Sequence, residues 1–258
     1  MRDRTGRGVP TCIFLGGVAM KVTIHQPCYI PYLGVFYKIW QADSFVYLDD
    51  AQYSNGYVFD WNRIKTPQGE CRLKVPTARR FGQKLTEVSP KDFLKWKDKH
   101  LKTIEMNYKR APYFGEFINL YGRVLMEDHK NLADLNISIM DMMMEWFRLD
   151  RKVYRSSEMG IDTRSEARVI EICNRLGADQ YISGTGGKNY QDPEHFSADG
   201  LKLTYAEYIP VAYPQQWNGF RKNMSSIDFA MNCGHEIDRY FSRCKKKEEA
   251  FREVGCHG

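Results

Sequence analysis

Residues 21–48, read in four pieces as KVTIH, QPCYIPY, LGVFYKIWQ and ADSFVYL, decide the fold. Lys21–His25 is apolar and β-branched and reads as a buried strand, closed by Pro27, which has no amide to give to a ladder. Leu33, Phe36, Tyr37 and Trp40 recur at helical spacing, which predicts a helix over 33–41. Asp43–Leu48 reads as a second strand. Strand, loop, helix and strand within 28 residues match the size of a parallel βαβ unit. A right-handed crossover places the loop Gln26–Tyr32 at the carboxyl end of the first strand, where open α/β sheets bind their ligands.

Outward from this unit, Tyr57–Pro76 reads as short strands around a Pro-Gln-Gly turn at 67–69. Lys91–Tyr108, Phe114–His129 and Leu135–Phe147 read as helices, and the methionines at 142–144 as core filler. A second α/β signal follows. Lys152–Arg155 is a strand, Ser165–Leu176 a helix ended by Gly177, Gln180–Ser183 a strand, Gly184–Lys188 a glycine-rich loop and Leu201–Tyr205 a late strand. Ser225–Met231 and Glu236–Val254 close the pattern as helices. The expected organisation is an extension over 1–19, an α/β catalytic domain over 20–235 with a basic, helical insertion at 77–150, and a charged helix over 236–258. Arg2, Arg4 and Arg7 precede the apolar run Cys12–Met20, which is short for a signal peptide and has no clear cleavage site. A disordered extension is expected there, with Met20 as the original start.

No run approaches the roughly 20 apolar residues that span a bilayer, so no membrane partner is expected. Seven cysteines, at 12, 28, 71, 173, 233, 244 and 256, form no CxxC pair. The odd count argues against a disulfide framework and against a zinc cage, and suggests reduced thiols in the cytoplasm. The net charge of +6 is unevenly placed. Between Asp60 and Arg110 fourteen Lys/Arg stand against six Asp/Glu. Such a segment is either a solvated face or an attractor of phosphates, nucleotides or nucleic acid.

Two strand-end loops carry the chemistry. In His25-Gln26-Pro27-Cys28-Tyr29-Ile30-Pro31-Tyr32 two prolines fix the backbone, and an imidazole holds a phosphate or exchanges a proton near neutral pH. Cys28 is a conceivable thiolate nucleophile, although no orienting acid is evident near it. In Ser183-Gly184-Thr185-Gly186-Gly187-Lys188-Asn189-Tyr190, glycines let backbone amides approach an anion and Lys188 adds charge. The spacing is neither a Walker motif nor a dinucleotide fingerprint, and a plain tight turn is the competing reading. Between the loops, Asp49-Asp50 at the end of the second strand suit Mg²⁺ or a substrate amine, with at most one of the two facing a site. Gln52 follows them. In Trp61-Asn62-Arg63-Ile64-Lys65, Arg63 suits a bidentate phosphate or carboxylate contact.

In order along the chain, His25-Gln26-Pro27, Tyr29, Pro31-Tyr32-Leu33-Gly34, Phe36, Lys38, Asp43, Leu48-Asp49, Gln52, Asn62-Arg63-Ile64-Lys65 and Val75-Pro76 resemble the WbqC-like family. The resemblance resumes at Leu176-Gly177-Ala178-Asp179, Tyr181-Ile182-Ser183-Gly184, Gly187, Lys188 and Tyr190. It ends at Tyr213-Pro214-Gln215, Ser225, Asp228 and Asn232-Cys233-Gly234. Asp60-Trp61 departs from the Gln expected before the Asn-Arg pair, and the basic 77–110 stretch is peculiar to this chain. The resemblance implies a role in bacterial surface-polysaccharide synthesis, including amino-sugar modification. The chain is also similar, more weakly and at fold level only, to pantothenate synthetase and related nucleotidyltransferases. Together these imply a Rossmann-like parallel sheet flanked by helices.

The expected function is a transferase or ligase joining a small amine or amino acid, such as glycine, to a phosphate-activated acceptor. That acceptor is a nucleotide-linked sugar or a modified base in DNA. His25, Asp49, Asp50 and Lys188 are the expected catalytic residues. Gln26, Tyr29, Tyr32, Gln52, Asn62, Arg63, Lys65, Ser183, Gly184, Gly187, Tyr190 and Gln215 are expected to contact substrate. The sequence points to no particular cofactor, and the paired acids leave room for Mg²⁺. The competing class is a non-catalytic nucleic-acid-binding module gripping a strand with the basic stretch and Phe81, Phe93 and Trp96.

Overall fold

A computed structural model describes residues 19–54, 58–91 and 93–255. The expected N-terminal extension lies almost wholly outside them.

The strands and helices follow in order. β1 (Lys21–His25), α1 (Leu33–Trp40) and β2 (Ser44–Tyr47) form the opening unit. β3 (Trp61–Thr66) and β4 (Gly69–Lys74) make an antiparallel hairpin, and β5 (Thr77–Ala78) pairs with β6 (Ser89–Pro90). Three helices follow: α2 (Phe93–Tyr108), α3 (Phe114–Met126) and α4 (Leu132–Trp146). Next come β7 (Lys152–Arg155), α5 (Ser165–Arg175), β8 (Gln180–Gly184), α6 (Pro193–Ala198) and β9 (Lys202–Ala206). The chain closes with α7 (Ser226–Cys233) and α8 (Ile237–Gly255).

The central sheet has five strands in the order β7-β2-β1-β8-β9, every pair parallel. Parallel sheets are covered on both faces, and this one obeys the rule. Side-chain alternation sends Val22, Ile24, Val46 and Tyr181 to one face, where they pack with Ile170, Ile172 and Cys173 of α5 and Phe196 of α6. Phe45, Tyr47 and Ile182 point the other way, into a larger core with α1 and the helices α2, α3, α4, α7 and α8. The chain therefore leaves β1 toward one face and β8 toward the opposite face. These strands are neighbours, so the sheet has a topological switch point between them, and open α/β folds bind ligands in that crevice.

The expected α/β architecture is present, with a Rossmann-like sheet. The stretch at 77–150 supplies the β5–β6 pair and the helices α2–α4. Those helices are not peripheral: Phe117, Tyr121, Leu135 and Met143 are fully buried in the main core. The charged final helix is equally integral. Phe241 of α8 packs edge-on against Tyr37 of α1 at 5.4 Å. The fully buried Glu248 carboxylate accepts from Tyr37 Oη at 2.5 Å, from Lys245 Nζ at 3.2 Å, from Arg252 Nη2 at 2.5 Å and from the Glu207 amide at 3.0 Å. Burial pushes the Glu248 pKa up, but these donors outweigh it and hold the group below the usual carboxylate value.

Candidate functional site

The loop after β1 is a rigid shelf. Ile30 holds a positive φ of 37°, a costly conformation for a β-branched residue. Its carbonyl accepts from Asn62 Nδ2 at 2.9 Å and from Ser225 Oγ at 2.7 Å. The Tyr29 amide donates to the Phe59 carbonyl at 3.1 Å, and Asn136 Nδ2 donates to the Pro27 carbonyl at 3.2 Å. Interactions from distant parts of the chain thus over-determine the shelf.

A crevice of about 330 Å³ opens at the switch point, lined among others by His25, Tyr32 and Lys38 from the first unit and by Gly184, Thr185 and Lys188 after β8. Glu207 and Tyr208, directly after β9, form its far wall. Gly34 lines it too, and its lack of a side chain is explained by the Tyr32 ring, which a Cβ there would overlap.

Burial, aided by the Lys38 charge, holds the His25 pKa well below its ordinary value, so the imidazole is neutral at neutral pH. Burial pushes the Cys28 thiol up to about 12, so Cys28 is no thiolate nucleophile. Lys38 is only 5% exposed, and its Nζ donates to the Ile24 carbonyl at 2.7 Å. Burial lowers its pKa to about 8. Lys188 is exposed, with its ammonium 5.6 Å from the Tyr205 ring centre. Gly184 and Thr185 begin a 3-10 turn spanning Thr185–Asn189.

His25, Tyr32, Gly184 and Lys188 therefore come together. The paired acids do not join them. Asp49 is buried, accepting from the Ser157 amide at 3.0 Å and Ser157 Oγ at 2.6 Å, with Ser156 Oγ 3.2 Å away. It caps the turn after β7 and does not line the crevice. Asp50 accepts from Ser156 Oγ at 2.5 Å and from Arg168 at 2.6 Å. Burial raises its pKa, but these two bonds outweigh burial and lower it overall. With Gln52 it lines a separate hollow between β2 and α5. Both carboxylates are already engaged by protein donors, and no cluster of three metal-ligating side chains occurs among the described residues. The pair does not fit Mg²⁺.

Several expected substrate contacts are structural. Tyr29 is buried, its hydroxyl bonded to Tyr121 at 2.6 Å and His100 at 2.8 Å. Asn62 braces the shelf. Arg63 is exposed on the β3–β4 hairpin and pairs with Glu70 at 2.8 Å. The buried Lys65 donates to the Trp217 carbonyl at 3.3 Å and to that of Gly219. Gln215 bonds the Asp228 carboxylate at 2.8 Å and clamps the Arg221 backbone. Ser183 is buried beneath Gly187, where a Cβ would overlap Ser183 Oγ and Gln191, so packing explains that glycine. Gln26 is half-buried and Tyr190 exposed, and neither lines the crevice.

Sequence reasoning missed Lys38, Thr185, Glu207 and Tyr208 as site residues. The signal for Lys38 was a lysine inside the otherwise buried run Leu33–Ile39. The signal for Glu207 and Tyr208 was their place immediately after a strand of the parallel sheet.

An open parallel sheet with a polar crevice at its switch point defines a Rossmann-like α/β protein. The chain belongs to the WbqC-like protein family, whose sequence model matches residues 26–240. It is 30% identical over 233 residues to the "Uncharacterized protein Rv1507c" of Mycobacterium tuberculosis, covering 88% of this chain and 99% of that protein. No solved structure matches the chain. No helix among the described residues is long and apolar enough to cross a membrane.

Proposed function

We propose that the protein is a transferase joining a small amine or amino acid to a phosphate-activated acceptor. The observation that carries this reading is one crevice lined by His25, Lys188 and Glu207 at the switch point. Lys188 and the amides of the turn after Gly184 hold the phosphate and stabilise its departing charge. Glu207, in place of Asp49 and Asp50, orients the incoming neutral amine by accepting one of its N–H bonds. As the amine nitrogen bonds to the acceptor carbon, the carbon–oxygen bond to phosphate breaks, and His25 takes the proton the nitrogen loses. Burial beside Lys38 disfavours imidazolium, so that proton passes on to solvent or to the leaving phosphate.

The resemblance to polysaccharide-synthesis proteins supports a nucleotide-linked sugar as acceptor. The cationic face of the β3–β4 hairpin supports a modified base in DNA: the Arg72 guanidinium lies 3.9 Å from the Trp61 ring centre. The test incubates the protein with labelled amino acids and each acceptor class. Label should reach one class and be lost when His25→Ala and Lys188→Ala are combined. Transfer that survives the double substitution refutes these roles.

A non-catalytic nucleic-acid-binding module is the second reading, favoured by the fully exposed Phe81 beside Arg79 and Arg80. Trp96 cannot contribute, because it is buried edge-on against Tyr29, and the Phe93 side chain lies outside the described residues. Affinity for single-stranded DNA should then fall steeply with salt; a flat titration removes this reading.

A further inference from the structure

Lys38 is a buried cation with no anion. Among the described residues no carboxylate lies within 4.0 Å of its Nζ, and its one hydrogen bond is to the neutral Ile24 carbonyl. Burying an uncompensated charge costs several kcal/mol, and proteins normally place a counter-ion beside it. The groups around it do not serve. His25 is neutral, and Cys28 remains a thiol. Tyr32 and Tyr208 are held in their phenol forms by burial. Glu207 lines the same crevice but forms no ion pair with Lys38 or Lys188. Yet the lysine is not sealed in the core, because it lines the crevice wall together with His25 and Lys188.

We propose that Lys38 awaits its counter-charge from outside: a dianionic phosphoryl group binds in the crevice against Lys38 and Lys188, and the site takes up a proton as it binds. This rests on the reading of the crevice as a phosphate-holding site and names the group that holds the phosphate deepest. In the empty crevice burial holds Lys38 near a pKa of about 8, so part of the population is neutral above that pH. A dianion alongside favours the ammonium and raises the pKa. Binding between the free and bound values therefore draws a proton from solvent. Affinity is highest below the free value and falls as pH rises above it, by up to about tenfold per pH unit.

Ethyl phosphate is a suitable probe, because a phosphate monoester has a second pKa near 6 and stays dianionic over the range of interest. Calorimetry at about pH 8.5 in two buffers of different ionisation enthalpy should show net proton uptake on binding to the wild-type protein. Affinity should fall by roughly tenfold or more between pH 7.5 and 9.5. Lys38→Met should weaken binding at pH 7.5, flatten the pH profile and abolish proton uptake. It should also leave the melting temperature unchanged or raised, since it removes an unpaired buried charge. Lys188→Ala should weaken binding while proton uptake persists. The buffer comparison on the wild-type protein needs no variant and stands if Lys38→Met fails to fold. Absence of binding, binding without proton uptake, or uptake that survives Lys38→Met would each overturn the proposal. Proton-linked phosphate binding without transfer to any acceptor would sink the transferase reading alone. Transfer without such binding would sink this one alone.

Discussion

The carboxyl edge of one sheet carries two polar regions with opposite characters. At the β2–β7 end, Asp49 and Asp50 meet Ser156, Ser157 and Arg168, and both carboxylates find protein donors. At the β1–β8–β9 end, Lys38, Lys188 and Glu207 line a crevice without pairing with one another. Both regions bring acidic and basic side chains together, and they differ in whether those side chains are paired. A network closed on itself fixes the fold, whereas one left open has binding capacity to spend.

The sharpest way to break this contrast is Asp49→Ala. It leaves the Ser157 N–H and the Ser157 hydroxyl without their acceptor, and should cost about 3 kcal/mol in denaturant unfolding. Phosphate binding by the folded fraction should be unchanged; a parallel loss would mean the two regions are one site. Lys188→Ala should do the reverse, lowering transfer kcat/KM by about 2 kcal/mol, near thirtyfold, with the unfolding midpoint intact. Asp50→Asn should cost about 1 kcal/mol at neutral pH, because its pair with Arg168 is largely shielded from solvent. The sign follows from the lowered Asp50 pKa. The stabilisation is full above the unfolded value, about 3.9, and disappears as pH falls through the folded one. Wild type and variant should therefore converge in stability as pH falls below the unfolded value, and a gap that does not narrow on acidification refutes the assignment. His25 sharpens the other side: the transfer rate should show no inflection near pH 6.5, where an ordinary imidazole titrates. The smallest effect is expected from Phe81→Ala, within about 0.5 kcal/mol of wild type in stability. A large drop in DNA affinity from that change would revive the binding-module reading.

The opening unit was legible because its signals are local. Apolar spacing fixed β1, α1 and β2 to within a residue or two, and the strand-end rule found His25, Gly184 and Lys188. Sheet order was not legible, since nothing in β7 or β9 states its neighbour. The failures at the site share one cause. Asn62, Lys65 and Gln215 are polar residues inside a folded protein, and sequence does not reveal whether a buried polar group is aimed at a ligand or at a backbone carbonyl. Here Asn62 meets Ile30, Lys65 meets Trp217, and Gln215 meets Arg221 and Asp228. Those partners lie between 6 and 152 positions away, a range that pattern reading does not search. Asp49 failed similarly, its partner serines standing 107 and 108 positions downstream. Lys38 was visible as an oddity in an apolar helix, but its lack of a counter-ion could be established only in three dimensions.

Glu248 joins Tyr37, 211 positions earlier, to the backbone of Glu207. The crevice wall is consequently tied off by a helix that lies outside the sheet and far along the chain from α1. A product trimmed just after Tyr240 would keep the sheet, the shelf and both lysines yet lack that fastening. Shortened recombinant versions should for this reason be judged by ligand affinity, because their helical content alone would not reveal the damage.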